Sequence, residues 1–183
     1  VLDIGAAPGG WSDYLSKHVT PAGGLVYAVD PACLSIRHRA LAASPCICEH
    51  AAIQTDEFDL RRRLPSAKSS TGDGDPPSSA DLGDPHSNVV HLQMSASRAM
   101  QFVAAGSVDL MVCDINHDFD ELHRDIIDTK HGCLFDLLAE ESVLVLTIKL
   151  PRRCQQRLRS ISEHHMKTFR NRYGDRFIST RLE

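Results

Sequence analysis

The sequence has no excess of basic charge and no long apolar run, and each lack excludes a class of protein. Its 20 Lys and Arg stand against 24 Asp and Glu, for a formal net charge of -4. Any contact with nucleic acid must therefore come from a local basic patch. No apolar run approaches the roughly 20 residues that span a bilayer, and the first residues lack the basic lead-in of a signal peptide. We expect an intracellular protein that contacts no membrane.

Cysteines are few and scattered, which argues against a disulfide framework. The six cysteines lie apart in the chain, several within apolar strand or helix patterns, as buried thiols of intracellular proteins do. Cys46 and Cys48, followed by His50, have the wrong spacing for a zinc knuckle, and no second Cys/His pair complements them. We interpret this group as structural and expect no metal site.

The length of 183 residues suits one domain, and short apolar runs alternate with helical patterns along it. We predict strands at 1–4, 25–30, 88–93, 108–114, 143–150 and 176–180, and helices at 11–18, 97–105, 120–139 and 153–173. Strands that alternate with helices favour an α/β fold, a doubly wound and mostly parallel sheet with helices on both faces. The run at 143–150 is the most continuous apolar one, which indicates a buried strand.

One stretch interrupts this alternation. Residues 68–88 are almost entirely Ser, Gly, Asp and Pro, and such a segment buries too little apolar surface to offset its ordering entropy. We predict a disordered insertion within a single domain, because the alternation of strands and helices resumes after it.

A glycine-rich turn follows the first strand. Gly5, Gly9 and Gly10 tolerate unusual backbone angles and leave the backbone bare for a ligand, and the helix beyond presents unpaired N–H groups to an anion. Their spacing differs from the G-x-G-x-x-G of NAD-binding folds. Asp30 ends the second strand, where an acid can accept hydrogen bonds from the hydroxyls of an adenosine ribose. Its alternative role is that of a turn residue before Pro31.

These residues carry a family resemblance. The run from Asp3 to Ser12 resembles motif I of the FtsJ (RrmJ-type) ribose 2′-O-methyltransferases, and Val112–Asp114 and Ile148–Pro151 resemble later motifs of the same family. The resemblance implies a Rossmann-like fold that binds S-adenosylmethionine (SAM) and methylates RNA. The cofactor-binding residues that it implies are Gly5, Ala6, Ala7, Pro8, Gly9, Gly10, Trp11, Asp30, Ser95 and Asp114. Trp11 has an alternative role, in which it packs the first helix onto the sheet.

The resemblance also implies a catalytic pair, Asp114 and Lys149, from the Lys-Asp-Lys-Glu set of the family. Both residues follow predicted strands, at the edge where open α/β sheets build their sites. Burial beside an apolar strand would lower the pKa of Lys149, whereas a neighbouring carboxylate would favour its charged form. In the alternative interpretation, Asp114 caps a turn and the Lys149 side chain reaches solvent.

The sequence departs from the family pattern at three places. The first lysine of the set would lie upstream of the first strand, and the closing glutamate beyond Glu183. The chain is then either a diverged member of the family or a fragment of a longer enzyme, and we expect a domain truncated at both ends. Ser95 stands where the family commonly has an acid against the adenine, and a serine hydrogen-bonds more weakly than a carboxylate.

A basic cluster follows Lys149. Arg152 and Arg153 would hold RNA phosphates near the site, or they belong to the solvated face of a helix. Three functions remain open: a ribose 2′-O-methyltransferase acting on ribosomal RNA in preference to tRNA or an mRNA cap, a non-catalytic RNA-binding or assembly module, and a different enzyme on the same fold.

Overall fold

A parallel sheet forms the centre of the molecule. The computed structural model describes residues 1–34, 46–48, 88–148, 158–174 and 177. Within these residues the strands are β1 (Leu2–Ile4), β2 (Val26–Val29), β3 (Cys46–Cys48), β4 (Val89–Gln93), β5 (Val108–Cys113), β6 (Asp128–Thr129), β7 (Gly132–Cys133) and β8 (Leu138–Leu146). Six of them form one sheet of parallel neighbours in the order β3-β4-β2-β1-β5-β8. The short strands β6 and β7 pair as an antiparallel hairpin.

This strand order predicts a ligand site beside β1. The chain moves from β1 outward to β2, β3 and β4, and then returns to β5 and β8 on the other side of β1. Ligands of open α/β sheets bind at the carboxyl ends of the strands where the order reverses in this way. We therefore expect the ligand site at the loops that follow β1 and β5.

The described helices are α1 (Gly10–Val19), α2 (Ala96–Ala99), α3 (Phe119–Leu122) and α4 (Leu158–Tyr173), with a π-helical turn at His123–Ile127. Charges in α1 suit its dipole, since Asp13 lies in the first turn and Lys17 in the last, and the two side chains pair at 2.9 Å.

Side chains on both faces of the sheet are covered by helices. Ile4 belongs to the larger apolar cluster, together with Phe119 of α3 and Phe169 of α4. Ala28 belongs to a second cluster, on the face that Leu15 of α1 covers. Successive residues of a strand point to opposite faces, and accordingly β2, β4, β5 and β8 contribute side chains to both clusters. The predicted α/β fold with helices on both faces is confirmed.

The predicted helix at 120–139 is wrong beyond its first two turns. After Ile127 the chain forms the hairpin of β6 and β7, passes through one 3-10 turn at Leu134–Leu137, and enters β8 at Leu138. Gly132 adopts φ +123°, which a helix excludes. The hydroxyl of Thr129 accepts a hydrogen bond from the amide of His131 at 3.2 Å and so supports the turn. Apolar spacing alone did not distinguish this arrangement from a helix.

The apolar run at 143–150 is less buried than we predicted. The strand β8 begins earlier, at Leu138, and Val143 is 59% exposed. The physical reason is position, because β8 is an outer strand of the described sheet and only β5 flanks it.

Two smaller differences concern local structure. The helix predicted at 97–105 is the single turn α2, and the segment Cys46–Cys48, to which no strand was assigned, is an outer strand, β3. Cys33 and Cys46 are exposed, whereas Cys113 is buried as we expected, because only the last lies in a strand with neighbours on both sides.

Several predictions fall on residues outside the described ranges. These are the low-complexity stretch up to residue 87, the candidate residues Lys149, Arg152 and Arg153, and the last predicted strand, of which the structure describes only Phe177. No helix in the described ranges has the length and apolar character that crossing a membrane requires.

Candidate cofactor and active site

The glycine turn is fastened to the end of the neighbouring strand. Gly5 follows β1 with φ +79°, and the amides of Gly5 and Ala6 both donate to the carbonyl oxygen of Val29, at 2.9 and 3.2 Å. A Cβ atom on Gly5 would lie 2.7 Å from Cγ1 of Ile115. The close approach of the loop after β5 therefore requires glycine here, in addition to the positive φ.

The amino end of α1 faces open space. The turn continues through a cis peptide between Ala7 and Pro8 and through Gly9 at φ +115°, and α1 begins at Gly10. A Cβ atom on Gly10 would meet no atom within 4 Å. The N–H groups of the first helical turn lack intrahelical partners and carry partial positive charge, so this end of α1 suits a carboxylate of a ligand.

Trp11 projects from the first turn of α1. Its side chain is 45% exposed, so the interpretation in which Trp11 packs α1 onto the sheet is wrong. The residues that make this contact are the buried Ser12, Leu15 and Ser16. Trp11 is therefore available at the surface beside the glycine turn.

Asp30 ties the loop after β2 to the glycine turn. Its carboxylate accepts a hydrogen bond from the amide of Ala7 at 3.1 Å and another from the amide of Ala32 at 2.7 Å. The bond to Ala32 is the turn-stabilising role that the sequence left open as an alternative. The bond to Ala7 adds that Asp30 lies against the turn. The side chain is half-buried, and a carboxylate has capacity for further donors.

Asp114 reaches the same turn from the opposite side. It directly follows β5, and its amide donates to the carbonyl oxygen of Ile4 at 3.1 Å. Its own carbonyl oxygen would lie 3.3 Å from a Cβ atom on Gly5. The structure thus brings Asp30 and Asp114 to the two flanks of the glycine turn.

The sequence analysis missed Asp3 as a member of this site. Asp3 is fully buried in β1, and the hydroxyl of Ser12 donates to its Oδ2 at 2.6 Å. Its Oδ1 is buried and has no hydrogen-bond partner among the described residues. Burial, and then the negative charges of Asp30 and Asp114, raise the pKa of Asp3 to about 6, although the bond from Ser12 acts in the opposite direction.

A signal for Asp3 was present in the sequence. An acid in the middle of an otherwise apolar strand of a parallel sheet has both faces covered, and a charge there needs a partner. The partner was Ser12, nine positions along the chain.

The third flank of the crevice is the loop after β4. Ser95 is exposed and occupies the N-cap position of α2 without capping it. Its hydroxyl lies 3.2 Å from that of Ser97. Ser95 follows β4 at the carboxyl edge of the sheet, as Asp30 follows β2, but its side chain makes no hydrogen bond to the described residues of the glycine turn.

The fold and the site together define a class of protein. A parallel α/β sheet with a bare glycine turn after β1, an acid after β2 and an acid after β5 is the arrangement of a Rossmann-like nucleotide-binding domain. A family model described as FtsJ-like methyltransferase matches residues 1–149. The chain belongs to the FtsJ-like methyltransferase family, whose members act on RNA and generally use SAM. No curated protein and no solved structure gives a significant match.

Proposed function

We propose that this protein transfers the methyl group of SAM to the ribose 2′-hydroxyl of RNA, with ribosomal RNA as the favoured substrate. The observation that carries the proposal is that Asp30 and Asp114 lie on the two flanks of the glycine turn. Membership of the family supports methyl transfer, and the position of these two acids supports a single active site at the turn. An intracellular location is part of the proposal, because SAM and RNA meet inside cells.

The residues present fit the cofactor. The open space at Gly10 leaves room for a ligand against the amino end of α1. Asp30 lies beside the turn, where its carboxylate would accept hydrogen bonds from the ribose hydroxyls of the cofactor. Ser95 would contact the adenine, and the exposed Trp11 borders the turn. Once bound, SAM supplies a methyl group on a positively charged sulfonium, which is a good leaving group.

The chain itself must place the target hydroxyl and deal with its proton. Asp114 is proposed to hold the ammonium group of Lys149, and Lys149 to contact the 2′-hydroxyl. The strand register supports this pairing, since the amide of Thr147 donates to the carbonyl of Cys113 at 2.9 Å. Lys149 lies two residues after Thr147 in the sequence, and Asp114 directly follows Cys113. Arg152 and Arg153 are proposed to bind phosphates of the same RNA.

The test is transfer of a labelled methyl group from SAM to ribosomal RNA, with tRNA and capped RNA as comparisons. Mass spectrometry of nuclease digests locates the product, and a substrate with 2′-deoxyribose at that nucleotide should accept no label. Lys149→Ala should lower kcat by about 10²- to 10⁴-fold, the usual contribution of proton transfer. The matched control Lys130→Ala alters an exposed lysine and should change nothing.

Two outcomes would contradict the proposal. Methylation of a base in place of the ribose would remove the 2′-O assignment while leaving the methyltransferase class intact. Binding of RNA and SAM without any methyl transfer would favour the non-catalytic RNA-binding or assembly module.

A further inference from the structure

The thiols of Cys33 and Cys46 contact side chains of β4 near Asp30. The parallel register places Cys46 of β3 next to His91 of β4, with Sγ of Cys46 3.6 Å from Nδ1 of His91. The other ring nitrogen, Nε2, lies 3.3 Å from the backbone oxygen of Asp30. His91 is 5% exposed, so its ring is held in place by the packing around it.

These contacts decide which nitrogen of His91 carries the proton. A carbonyl oxygen only accepts hydrogen bonds, so Nε2 must donate to Asp30. In a neutral imidazole this leaves the lone pair on Nδ1, facing the thiol. Burial lowers the pKa of His91 and keeps the ring neutral. The carbonyls of Asp30 and Ala32 and the Asp30 carboxylate act in the opposite direction, and would stabilise the ring once it takes a proton.

A second thiol shares the surroundings of the first. The amide of Gln93 accepts from Sγ of Cys46 at 3.6 Å and donates to Sγ of Cys33 at 3.2 Å. Cys33 and Cys46 are both exposed, so a dissolved oxidant reaches them. Cys113 provides the contrast, since burial raises the pKa of its thiol to about 11, where almost no reactive thiolate forms at neutral pH.

We propose that His91 activates the thiol of Cys46, that hydroperoxides oxidise this thiol, and that Cys33 then forms a disulfide with Cys46. A thiol, a base within reach and a group that orients the base form the arrangement of an activated nucleophile. In this assignment Cys46 is the nucleophile, Nδ1 of His91 the base and the backbone oxygen of Asp30 the orienting group. The proposal does not depend on the methyltransferase function.

The chemistry balances with hydrogen peroxide as the oxidant. Nδ1 of His91 takes the proton of Cys46, and the thiolate attacks one peroxide oxygen. The O–O bond breaks, and the leaving hydroxide takes up a proton to become water. The product is a sulfenic acid on Cys46. The thiol of Cys33 then attacks this sulfur, a second water leaves, and the S–S bond forms. Two thiols and one peroxide give one disulfide and two waters.

The first measurement compares thiols within the wild-type protein. The full reduced chain is treated with iodoacetamide for increasing times, and the alkylated cysteines are quantified by peptide mass spectrometry. Cys46 should react about tenfold faster than Cys33, because within the described ranges Cys46 alone has a base against its sulfur. Cys113 should react only after unfolding. Equal rates at Cys46 and Cys33 would overturn the activation.

Variants test the base and the capture step separately. His91→Gln should bring the alkylation rate of Cys46 down to that of Cys33, with circular dichroism as the check on folding; an unchanged rate in the folded variant overturns the role of His91. If that variant does not fold, the comparison within the wild type decides alone.

With hydrogen peroxide, the wild type should give a peptide linked through Cys33 and Cys46, and Cys33→Ser a dimedone-trapped sulfenic acid on Cys46. Absence of both products would refute the proposal.

Discussion

Replacing Asp3 by Asn should make the free energy of unfolding less dependent on pH. The pKa of Asp3 rises from 3.8 to about 6 in the folded protein. Between these values the folded state binds the proton more tightly than the unfolded chain, so stability falls as the pH rises and the full cost is present above the folded pKa. A rise of this size corresponds to about 3 kcal/mol at neutral pH. About 1.4 kcal/mol of it should develop between pH 5 and pH 8.

The assay is urea unfolding of wild type and variant at pH 5 and at pH 8. The wild type should lose about 1.4 kcal/mol relative to Asp3→Asn over this interval. The variant retains an oxygen that can accept from Ser12, so the comparison of the two pH values isolates the charge. Glu141→Gln, which alters an exposed carboxylate of β8, is the control and should follow the wild type. An Asp3→Asn variant that follows the wild type at both pH values would refute the buried charge.

Three further substitutions test the glycine turn and the packing of α4. Gly5→Ala should destabilise the fold by about 2 kcal/mol or more, since strain at positive φ adds to a contact of 2.7 Å with Ile115. Gly10→Ala, whose Cβ meets nothing within 4 Å, should be nearly neutral in thermal unfolding. Tyr173→Phe removes the hydroxyl that lies 2.8 Å from Nδ1 of His123 and should cost about 1 kcal/mol in urea unfolding; equal stability of variant and wild type would show that water replaces this bond.

Much of the sheet was predictable because the apolar runs and the residues that end them indicated the same strands. The short apolar runs of β1, β2 and β5 ended at Gly or Asp, and in a parallel α/β fold such ends gather at one edge. That reasoning identified these three strands, and with them Asp30 and Asp114 at the glycine turn, and β4 was identified from its apolar run alone. Family motifs added the cofactor, which apolar patterns alone do not specify.

The failures have physical causes of their own. The spacing of apolar residues between 120 and 139 fitted a helix. The chain instead forms a hairpin of two-residue strands there, with Gly132 in the left-handed backbone region. Several cysteines were expected to be buried because they lie in apolar segments. Cys46 is exposed because its strand, β3, lies at the edge of the described sheet. Contacts between distant segments, such as those of Asp3 with Ser12 and of Cys46 with His91, depend on register and packing. A single sequence does not display these.

Calorimetric titration of SAM into the wild type and into Asp30→Ala, with NAD as the control ligand, tests the central claim most directly. Thermal unfolding of both proteins checks that loss of the bond between Asp30 and Ala7 leaves the fold intact. The account predicts that SAM binds the wild type, that Asp30→Ala binds it about 10- to 100-fold more weakly, and that NAD gives no heat. A folded wild-type protein that binds no SAM, or that binds NAD in its place, would contradict the account.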